Sequence, residues 1–263
     1  MNGNKHRGMV IQERDRHFLR ELAVMRVIDR EQAKVVAGFG STTRANARLL
    51  ALTRAGLLRR FFQGTVAGGA KALYTLSLQG ARLVGVPENG PRRRQDEAVV
   101  ADFFIQHQLA INEVYCSLKY DNRRPTGIKF ERWMGFPKQH LPGLRLIPDG
   151  YVEIATPSGI VAAFLEADLG HERLRVWQDK IRNYLDLAVN GNFERKFRQQ
   201  RFRVLVVANS ERRLAAIREV VLPVTDKIFW FATFEASRRH GVFAPIWHRP
   251  KGEEPQSLIR EIP

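Results

Sequence analysis

A short segment of turn-forming and charged residues divides this chain into two parts. Residues 86–94 read Val-Pro-Glu-Asn-Gly-Pro-Arg-Arg-Arg, and the prolines and glycine interrupt both helical and strand periodicity. With 263 residues, the chain is long enough for two domains of ordinary size. We therefore predict an N-terminal domain over residues 1–86, a linker over 87–95, a second domain over 96–248 and a polar tail over 249–263 that lies loosely on the surface.

The charge of the chain is unevenly distributed and indicates a polyanionic partner. The formal net charge is +16, and residues 1–95 hold 18 basic but only 6 acidic side chains. Such a field attracts nucleic acid. A membrane surface would attract the same charge, but the sequence has no strongly amphipathic basic helix with an aromatic face. We therefore predict binding to double-stranded DNA and no association with a membrane.

Cysteine usage and the length of the apolar runs bear on the compartment. The single cysteine, Cys116, excludes an intramolecular disulfide and is typical of a reducing environment. The first ten residues are polar and basic and lack the apolar region of a secretory signal. No run approaches the 18 or so consecutive apolar residues of a transmembrane helix. These features predict a cytoplasmic protein.

The N-terminal part has the periodicity of three helices, a hairpin and a fourth, short helix. Phe18, Leu22 and Met25 recur at the spacing of one helical face. Asp29 is placed to cap a second helix, and Ser41 is placed to cap a third. The remaining predicted elements are two strands over 57–62 and 72–76, separated by a glycine-rich tip, and a helix over 78–84.

This order of elements resembles the winged helix-turn-helix family over about residues 10–85. Residues 55–58 and 74–76 are similar to the exit of the recognition helix and to the wing of that family. In that family the third helix enters the major groove, and the wing touches the backbone or the minor groove. The resemblance implies DNA contacts from the third helix and phosphate contacts from the wing. The implied residues are Thr43, Arg44, Asn46 and Arg48 on the helix, and Arg59, Arg60 and Lys71 on the wing.

Two alternatives remain for this N-terminal part. Helix bundles commonly carry arginines on a solvated face, so exposed cations alone do not establish DNA binding. Winged helices also mediate contacts between proteins. The net charge favours DNA.

The C-terminal part alternates helical and strand patterns. The order of the predicted elements is α-β-β-β-β-α-β-α-β, which is typical of an α/β sandwich. The helices are predicted over 96–119, 173–189 and 211–221, and the strands over 127–133, 144–147, 151–154, 160–167, 202–208 and 228–234.

Three carboxylates fall at the ends of these predicted strands. Because strand side chains alternate between faces, Glu166 and Asp168 are expected on the same face, and Asp149 on a neighbouring strand could join them. Clustered carboxylates suit a hard divalent cation, Mg²⁺ or Mn²⁺, which can activate water for attack on a phosphodiester. The alternatives are that Pro148-Asp149-Gly150 is a simple turn and that Glu166 and Asp168 form a solvated strand end.

The motif Pro148-Asp149, followed by Glu166-Ala167-Asp168 after an apolar strand, resembles the PD-(D/E)XK nuclease-like fold. Together with the N-terminal elements, residues 107–113, 146–150 and 164–170 resemble the replication-relaxation family of plasmids and other mobile elements. The resemblance implies a mixed α/β (α+β) protein, in which a winged helix joins a restriction-endonuclease-like α/β sandwich. It also implies metal and catalytic roles for Asp149, Glu166 and Asp168.

One position departs from the nuclease pattern. Asp168 stands where the motif has its lysine, and Lys180 on the following predicted helix is a candidate to replace that lysine if it reaches the carboxylates. A second basic segment, residues 195–203, interleaves arginines and a lysine with phenylalanines. It is either an extension of the DNA track or a solvated connection.

Two main functions therefore remain open. The first is a DNA-binding protein of a mobile element that acts in replication, mobilisation or their control, with a nuclease-like domain as scaffold or partner surface. The second is a Mg²⁺-dependent endonuclease that nicks or cleaves duplex DNA. A transcription factor with a sensing or dimerising C-terminal domain is a third alternative. Homodimerisation and binding to mobile-element replication or mobilisation proteins are expected partner interactions.

Overall fold

The computed structural model describes residues 9–64, 68–88, 98–136 and 147–259, with the side chains of 98–101 left out. Its contacts divide the chain into two units, Met1–Cys116 and Ser117–Pro263. Each unit combines helices with a β-sheet, so the predicted α+β class is confirmed. No helix in the described part of the chain is long and apolar enough to cross a membrane.

The N-terminal unit contains the helices and the hairpin expected from the sequence, plus one short strand. A three-stranded antiparallel sheet has the order β1-β3-β2, in which β1 is the added strand. The described elements are α1 (Glu13–Met25), β1 (Ile28–Asp29), α2 (Arg30–Ala37), α3 (Thr42–Arg54), β2 (Leu58–Gly64), β3 (Ala70–Leu76) and α4 (Leu78–Val84).

Side-chain caps begin α2 and α3 where the sequence predicts them. Asp29 accepts a hydrogen bond from the backbone of Gln32, and Ser41 accepts one from the backbone of Arg44. The apolar stripes of the helices meet in one core, which has Phe18, Leu22, Leu49, Leu52 and Leu73 among its fully buried residues. This core fixes which face of α3 remains exposed.

The division between the units lies inside α5 (Ala98–Tyr120), not in the predicted linker. Residues 89–95 of that linker lie outside the described residues. Asn112 donates to the carbonyls of Met25 (3.1 Å) and Val27 (2.6 Å), and Tyr115 donates to Glu21 at 2.6 Å. Residues 98–116 therefore group with the N-terminal unit, whereas the sequence prediction gave this helix to the C-terminal domain.

The C-terminal unit is built on a five-stranded sheet of order β4-β5-β6-β7-β8. Strands β4, β5 and β6 are antiparallel neighbours, whereas β6, β7 and β8 run parallel. The further described elements are β4 (Lys129–Met134), β5 (Gly150–Thr156), β6 (Gly159–Asp168), α6 (Leu174–Val189), α7 (Asn192–Phe197), β7 (Arg203–Ala208), α8 (Glu211–Val221), β8 (Phe229–Thr233), α9 (Phe234–His240), β9 (Pro245–Trp247) and β10 (Gln256–Ser257).

One face of this sheet packs against α6, α7 and α8. Its core is rich in aromatic side chains, among them Tyr151 and Phe164 from the sheet and Trp177 and Tyr184 from α6. Such rings bury large apolar areas and prefer tilted or edge contacts, as between Phe164 and Tyr184, whose centroids are 5.5 Å apart. This face of the sheet also carries Glu166 and hence positions the candidate site.

Two predictions for the C-terminal part need correction. The predicted strand over 144–147 is not found where it can be checked: residues 144–146 lie outside the described residues, and Ile147 is not in a strand. The predicted loose tail is instead docked as far as residue 259. Leu258 is fully buried and accepts a hydrogen bond from Arg203, and β10 pairs with β9.

Candidate functional site

The exposed face of α3 presents three of the four helix residues predicted to contact DNA. Thr43, Arg44 and Asn46 are exposed, whereas Ala45 and Leu49 of the same helix are buried. Only the backbone of Arg44 takes part in the cap with Ser41. The face is therefore polar and positively charged, and the buried stripe behind it holds it in place.

The fourth helix residue, Arg48, has a role inside the fold. Its guanidinium forms a two-pronged ion pair with the buried carboxylate of Asp15, and it also donates to the carbonyl of Val10. Burial is the largest single influence on the pKa of Asp15 and raises it, but the hydrogen bonds from Arg48 and the backbone of Gln12, together with the charges of Arg48 and Arg14, outweigh this effect and lower the pKa. Three of the donor hydrogens of Arg48 are thus used within the fold, and the prediction that it contacts DNA is not supported by its geometry.

The hairpin residues predicted to contact phosphate are placed differently from one another. Arg59 pairs with Glu88 at 2.7 Å, and Lys71 pairs with Asp29 at 2.5 Å. Arg60 is exposed, and its guanidinium carbon lies 5.2 Å from the ring centroid of Phe62. Phe62 is itself 52% exposed. Arg60 and Phe62 therefore form a cationic and aromatic surface on β2.

In the C-terminal unit, Asp149 lies where β5 begins beside the end of β6. Its Oδ2 atom accepts a hydrogen bond from the backbone of Ala167 at 2.7 Å, and its own N–H donates to Leu165. Gly150 follows without a positive φ, so it is not the glycine of a turn. A Cβ at Gly150 would lie 2.5 Å from the ring of Trp133, and this close approach requires a glycine.

Glu166 is buried between two donors from α6. Lys180 donates to its Oε2 atom at 2.9 Å, and the hydroxyl of Tyr184 donates to its Oε1 atom. Lys180 also pairs with Glu172 at 2.7 Å. Lys180 therefore reaches Glu166. Its position in the sequence, one to two turns into α6, did not by itself guarantee this contact.

Burial and charge act against each other at this pair. Burial is the largest influence on the pKa of Glu166 and raises it to about 7, against the lowering effect of Lys180. Burial by itself lowers the pKa of Lys180, but the negative charges of Glu166 and Glu172 outweigh this effect and raise it. Lys180 therefore remains a cation at neutral pH and can attract a negatively charged group.

Asp168 is held in a closed set of hydrogen bonds. Arg213 donates to both carboxylate oxygens at 2.8 Å, and Trp177 and the backbone of Gly170 donate as well. Burial is the largest single influence on the pKa of Asp168 and raises it, but the hydrogen bonds from Arg213, Trp177 and the backbone of Gly170, together with the charge of Arg213, outweigh this effect and lower the pKa. Glu166 and Asp168 do share one face of the sheet, since both contact side chains of α6. At 3% exposure, however, Asp168 is not a solvated strand end.

The predicted three-carboxylate metal site does not fit this arrangement. The oxygens of Asp168 already accept four hydrogen bonds, from Arg213, Trp177 and the backbone of Gly170, so a cation would have to displace one of these donors. A cation at Glu166 would lie beside the ammonium group of Lys180. Within the described ranges, no group of three or more His, Cys, Asp or Glu side chains is placed to hold a metal ion.

Sequence reasoning missed the donors that surround these carboxylates. Tyr184 and Trp177 are both fully buried among apolar side chains, yet each also donates to a carboxylate. Their spacing with Lys180 on one helical face was the available signal. Arg213 comes from α8, 45 residues beyond Asp168, and no local pattern connects the two.

Comparison with known proteins identifies one family. A family model described as replication-relaxation matches residues 19–199, which is more than half of the chain. The searches of curated proteins and of solved structures found no match to this chain.

Proposed function

Because the chain belongs to the replication-relaxation family, we propose that it binds duplex DNA and acts in the replication or mobilisation of a plasmid or other mobile element. Family membership indicates the replication and mobile-element context. The proposal adds that the N-terminal unit is a winged helix and that it makes the contacts to DNA. It also adds that the C-terminal unit is nuclease-like in fold and serves mainly as a scaffold or partner surface.

The observation that carries this proposal is the exposed face of α3. Thr43, Arg44 and Asn46 combine a cation, an amide and a hydroxyl on one helix, and these are the groups that contact base edges and phosphates in the major groove. Among the residues that the structure describes, none forms an ion pair with these three side chains. The residues before residue 96 also hold most of the excess positive charge.

The β2–β3 hairpin supports the same proposal. In winged-helix proteins a hairpin that follows the third helix touches the DNA backbone or the minor groove. Here the hairpin follows α3 directly, and β2 exposes Arg60 beside Phe62. Arg59 and Lys71 are half-exposed and could exchange their partners, Glu88 and Asp29, for phosphates.

The contacts of the carboxylates favour a scaffold role for the C-terminal unit. Arg213 neutralises Asp168, and Lys180 and Tyr184 use both oxygens of Glu166. These bonds tie the end of β6 to α6 and α8, which is what a structural cluster does. At Asp168, together with the bonds from Trp177 and the backbone of Gly170, they use all four lone-pair sites of the carboxylate.

A second candidate function, a metal-dependent endonuclease, is favoured by one observation. Lys180 lies 2.9 Å from Glu166, and the charge of Asp149 influences the pKa of both residues. An acidic pair with an adjacent lysine is the set of residues that the nuclease resemblance implies. In this case Asp149 and Glu166 would hold the cation after Lys180 moves away from Glu166.

The proposed DNA contact is tested with Arg44→Ala in the full chain. The side chain of Arg44 is exposed, so its removal should leave the fold intact. We expect weaker duplex binding. A lost phosphate contact would reduce the magnitude of the slope of log K against log salt concentration by about 0.9. A lost base contact would cost about 1–3 kcal/mol of binding free energy. Fluorescence anisotropy with labelled duplex over a range of salt concentrations measures both quantities.

Arg54→Ala is the matched control. Arg54 is also exposed on α3 and carries the same charge, but it lies about 15 Å further along the helix axis. Equal binding by Arg44→Ala and Arg54→Ala would contradict docking through the α3 face.

A further inference from the structure

We infer that a cluster of cations on and just after α7 is a second contact surface for the phosphate backbone of nucleic acid, located on the C-terminal unit. The cluster consists of Arg195, Lys196, Arg198 and Arg201, and we call these residues the α7 cations. This inference rests on the proposed DNA-binding function and adds a surface to it.

The fold turns the aromatic residues of this segment inward and its cations outward. Phe193, Phe197 and Phe202 are buried in the core of the C-terminal unit. The α7 cations are all exposed. The segment is therefore not a stacking platform for single-stranded bases, which would need exposed rings. Its exposed chemistry is positive charge, which suits the sequence-independent backbone of a duplex.

Several other arginines of this unit have acidic partners. Arg213 pairs with Asp168, Arg123 with Asp121, and Arg182 with Asp179. Arg195 donates to the neutral side chain of Asn192. Among the described residues, no ion pair or side-chain hydrogen bond is formed by Lys196, Arg198 or Arg201. Their charge is therefore available to bind an external anion such as a phosphate.

Arg198 provides an independent observation. It ends α7 in the left-handed region, with φ of 59°, where an L-residue with a side chain is strained and glycine is favoured. Glycines occupy the equivalent C-terminal positions of α2 and α4, with φ of 63° and 69°. The other non-glycine residue with positive φ in the described ranges, Arg26, packs over the ring of Phe104. In the part of the chain that the structure describes, Arg198 has no such contact, so the fold gives no structural reason for an arginine at a position where the backbone favours glycine.

This strain makes Arg198→Gly an informative variant. Glycine removes the charge and relieves the backbone, so the folded state should be at least as stable as in the wild type. Any loss of DNA affinity then cannot be attributed to unfolding. The full chain is used, and thermal denaturation of the variant verifies that its Tm is unchanged or higher.

We expect Arg198→Gly to weaken duplex binding and to reduce the magnitude of the salt slope, the slope of log K against log salt concentration, by about 0.9. A triple variant, Lys196→Ala with Arg198→Gly and Arg201→Ala, should lower the slope by about 2 to 3. The controls remove equal charge from exposed positions elsewhere on the same unit. They are Arg239→Ala and the triple variant Arg212→Ala, Arg239→Ala and Lys251→Ala.

The outcomes separate this inference from the proposed function. If the wild type binds duplex and Arg44→Ala weakens binding, but the α7 variants match their controls, the α7 surface is wrong and the proposed function stands. A fall in affinity without a change in salt slope would also overturn the inference, because a phosphate contact must release counterions. If the wild type does not bind duplex at all, both proposals fail.

Discussion

Asp168 illustrates how a single carboxylate can serve the fold at a position where a catalytic role is expected. It is almost fully buried, and its two oxygens accept from a guanidinium, an indole and a backbone amide. A buried carboxylate needs such donors, because leaving it unpaired would be costly. Arg213 also donates to the carbonyl of Glu172, so the same arginine holds the connection between β6 and α6.

We expect Asp168→Asn to destabilise the protein by about 3 kcal/mol, because Arg213 would lose the partner of a largely buried ion pair. Urea denaturation measures the change in the free energy of unfolding. The double variant Asp168→Asn with Arg213→Met should recover part of the loss, since no unpaired charge then remains. Because the pKa of Asp168 is lowered, the contribution of its charge is present at neutral pH and should disappear as the pH falls through that lowered pKa.

At the scale of elements, the polar residues of α5 explain why its first part belongs to the N-terminal unit. Asn112 is buried and binds two carbonyls of the turn between α1 and β1, and Gln108 donates to Asn112 at 3.0 Å. In that turn Arg26 has a positive φ, and its guanidinium packs over the ring of Phe104 on α5. The helix therefore recognises the backbone of the turn as well as its side chains.

We expect Asn112→Ala to destabilise the N-terminal unit by about 1–3 kcal/mol, because the carbonyl of Val27 would lose its side-chain donor in a buried place. Gln106→Ala is the control, since Gln106 is exposed on the same helix and the same type of amide is removed. Hydrogen exchange of the amides in α1 and β1 would locate the effect. Equal stability of the two variants would refute this role for Asn112.

At the scale of the whole molecule, charge and fold divide the functional candidates between the two units. The excess positive charge is concentrated before residue 96, whereas the carboxylate cluster lies in the C-terminal unit. The proposed DNA contacts on α3 therefore do not depend on chemistry at the cluster. The proposed α7 surface would let the C-terminal unit bind the DNA backbone without cleaving it.

We expect no cleavage of supercoiled plasmid in the presence of Mg²⁺ or Mn²⁺, because the oxygens of Glu166 and Asp168 are held by donors of the fold. Gel electrophoresis of the plasmid after incubation with the full chain measures nicking and linearisation. Cleavage by the wild type that disappears in both Asp149→Ala and Glu166→Ala would establish the endonuclease instead. Duplex binding by each variant verifies that it is folded.

Local patterns determined most of the elements and the faces of this protein. The periodicity of apolar residues predicted α1 to α4, the hairpin, α6, α8 and the central strands, because each is specified by side chains close together in sequence. The caps at Asp29 and Ser41 were predictable for the same reason. So was the common face of Glu166 and Asp168, which follows from the two-residue period of a strand.

Only the tertiary structure decided which of these side chains remain available. Arg44 and Arg48 lie on the same predicted helix, and the sequence pattern does not distinguish them. In the folded protein, however, Arg48 forms an ion pair with Asp15. Arg213 reaches Asp168 from α8, and Asn112 reaches the turn after α1 across more than eighty residues. The sequence determined where charges and hydrogen-bonding groups occur along the chain. Which of these groups pair with one another depends on which elements the core brings into contact. As a result, Asp168 is buried and paired with Arg213, whereas Arg44 and Arg198 remain exposed.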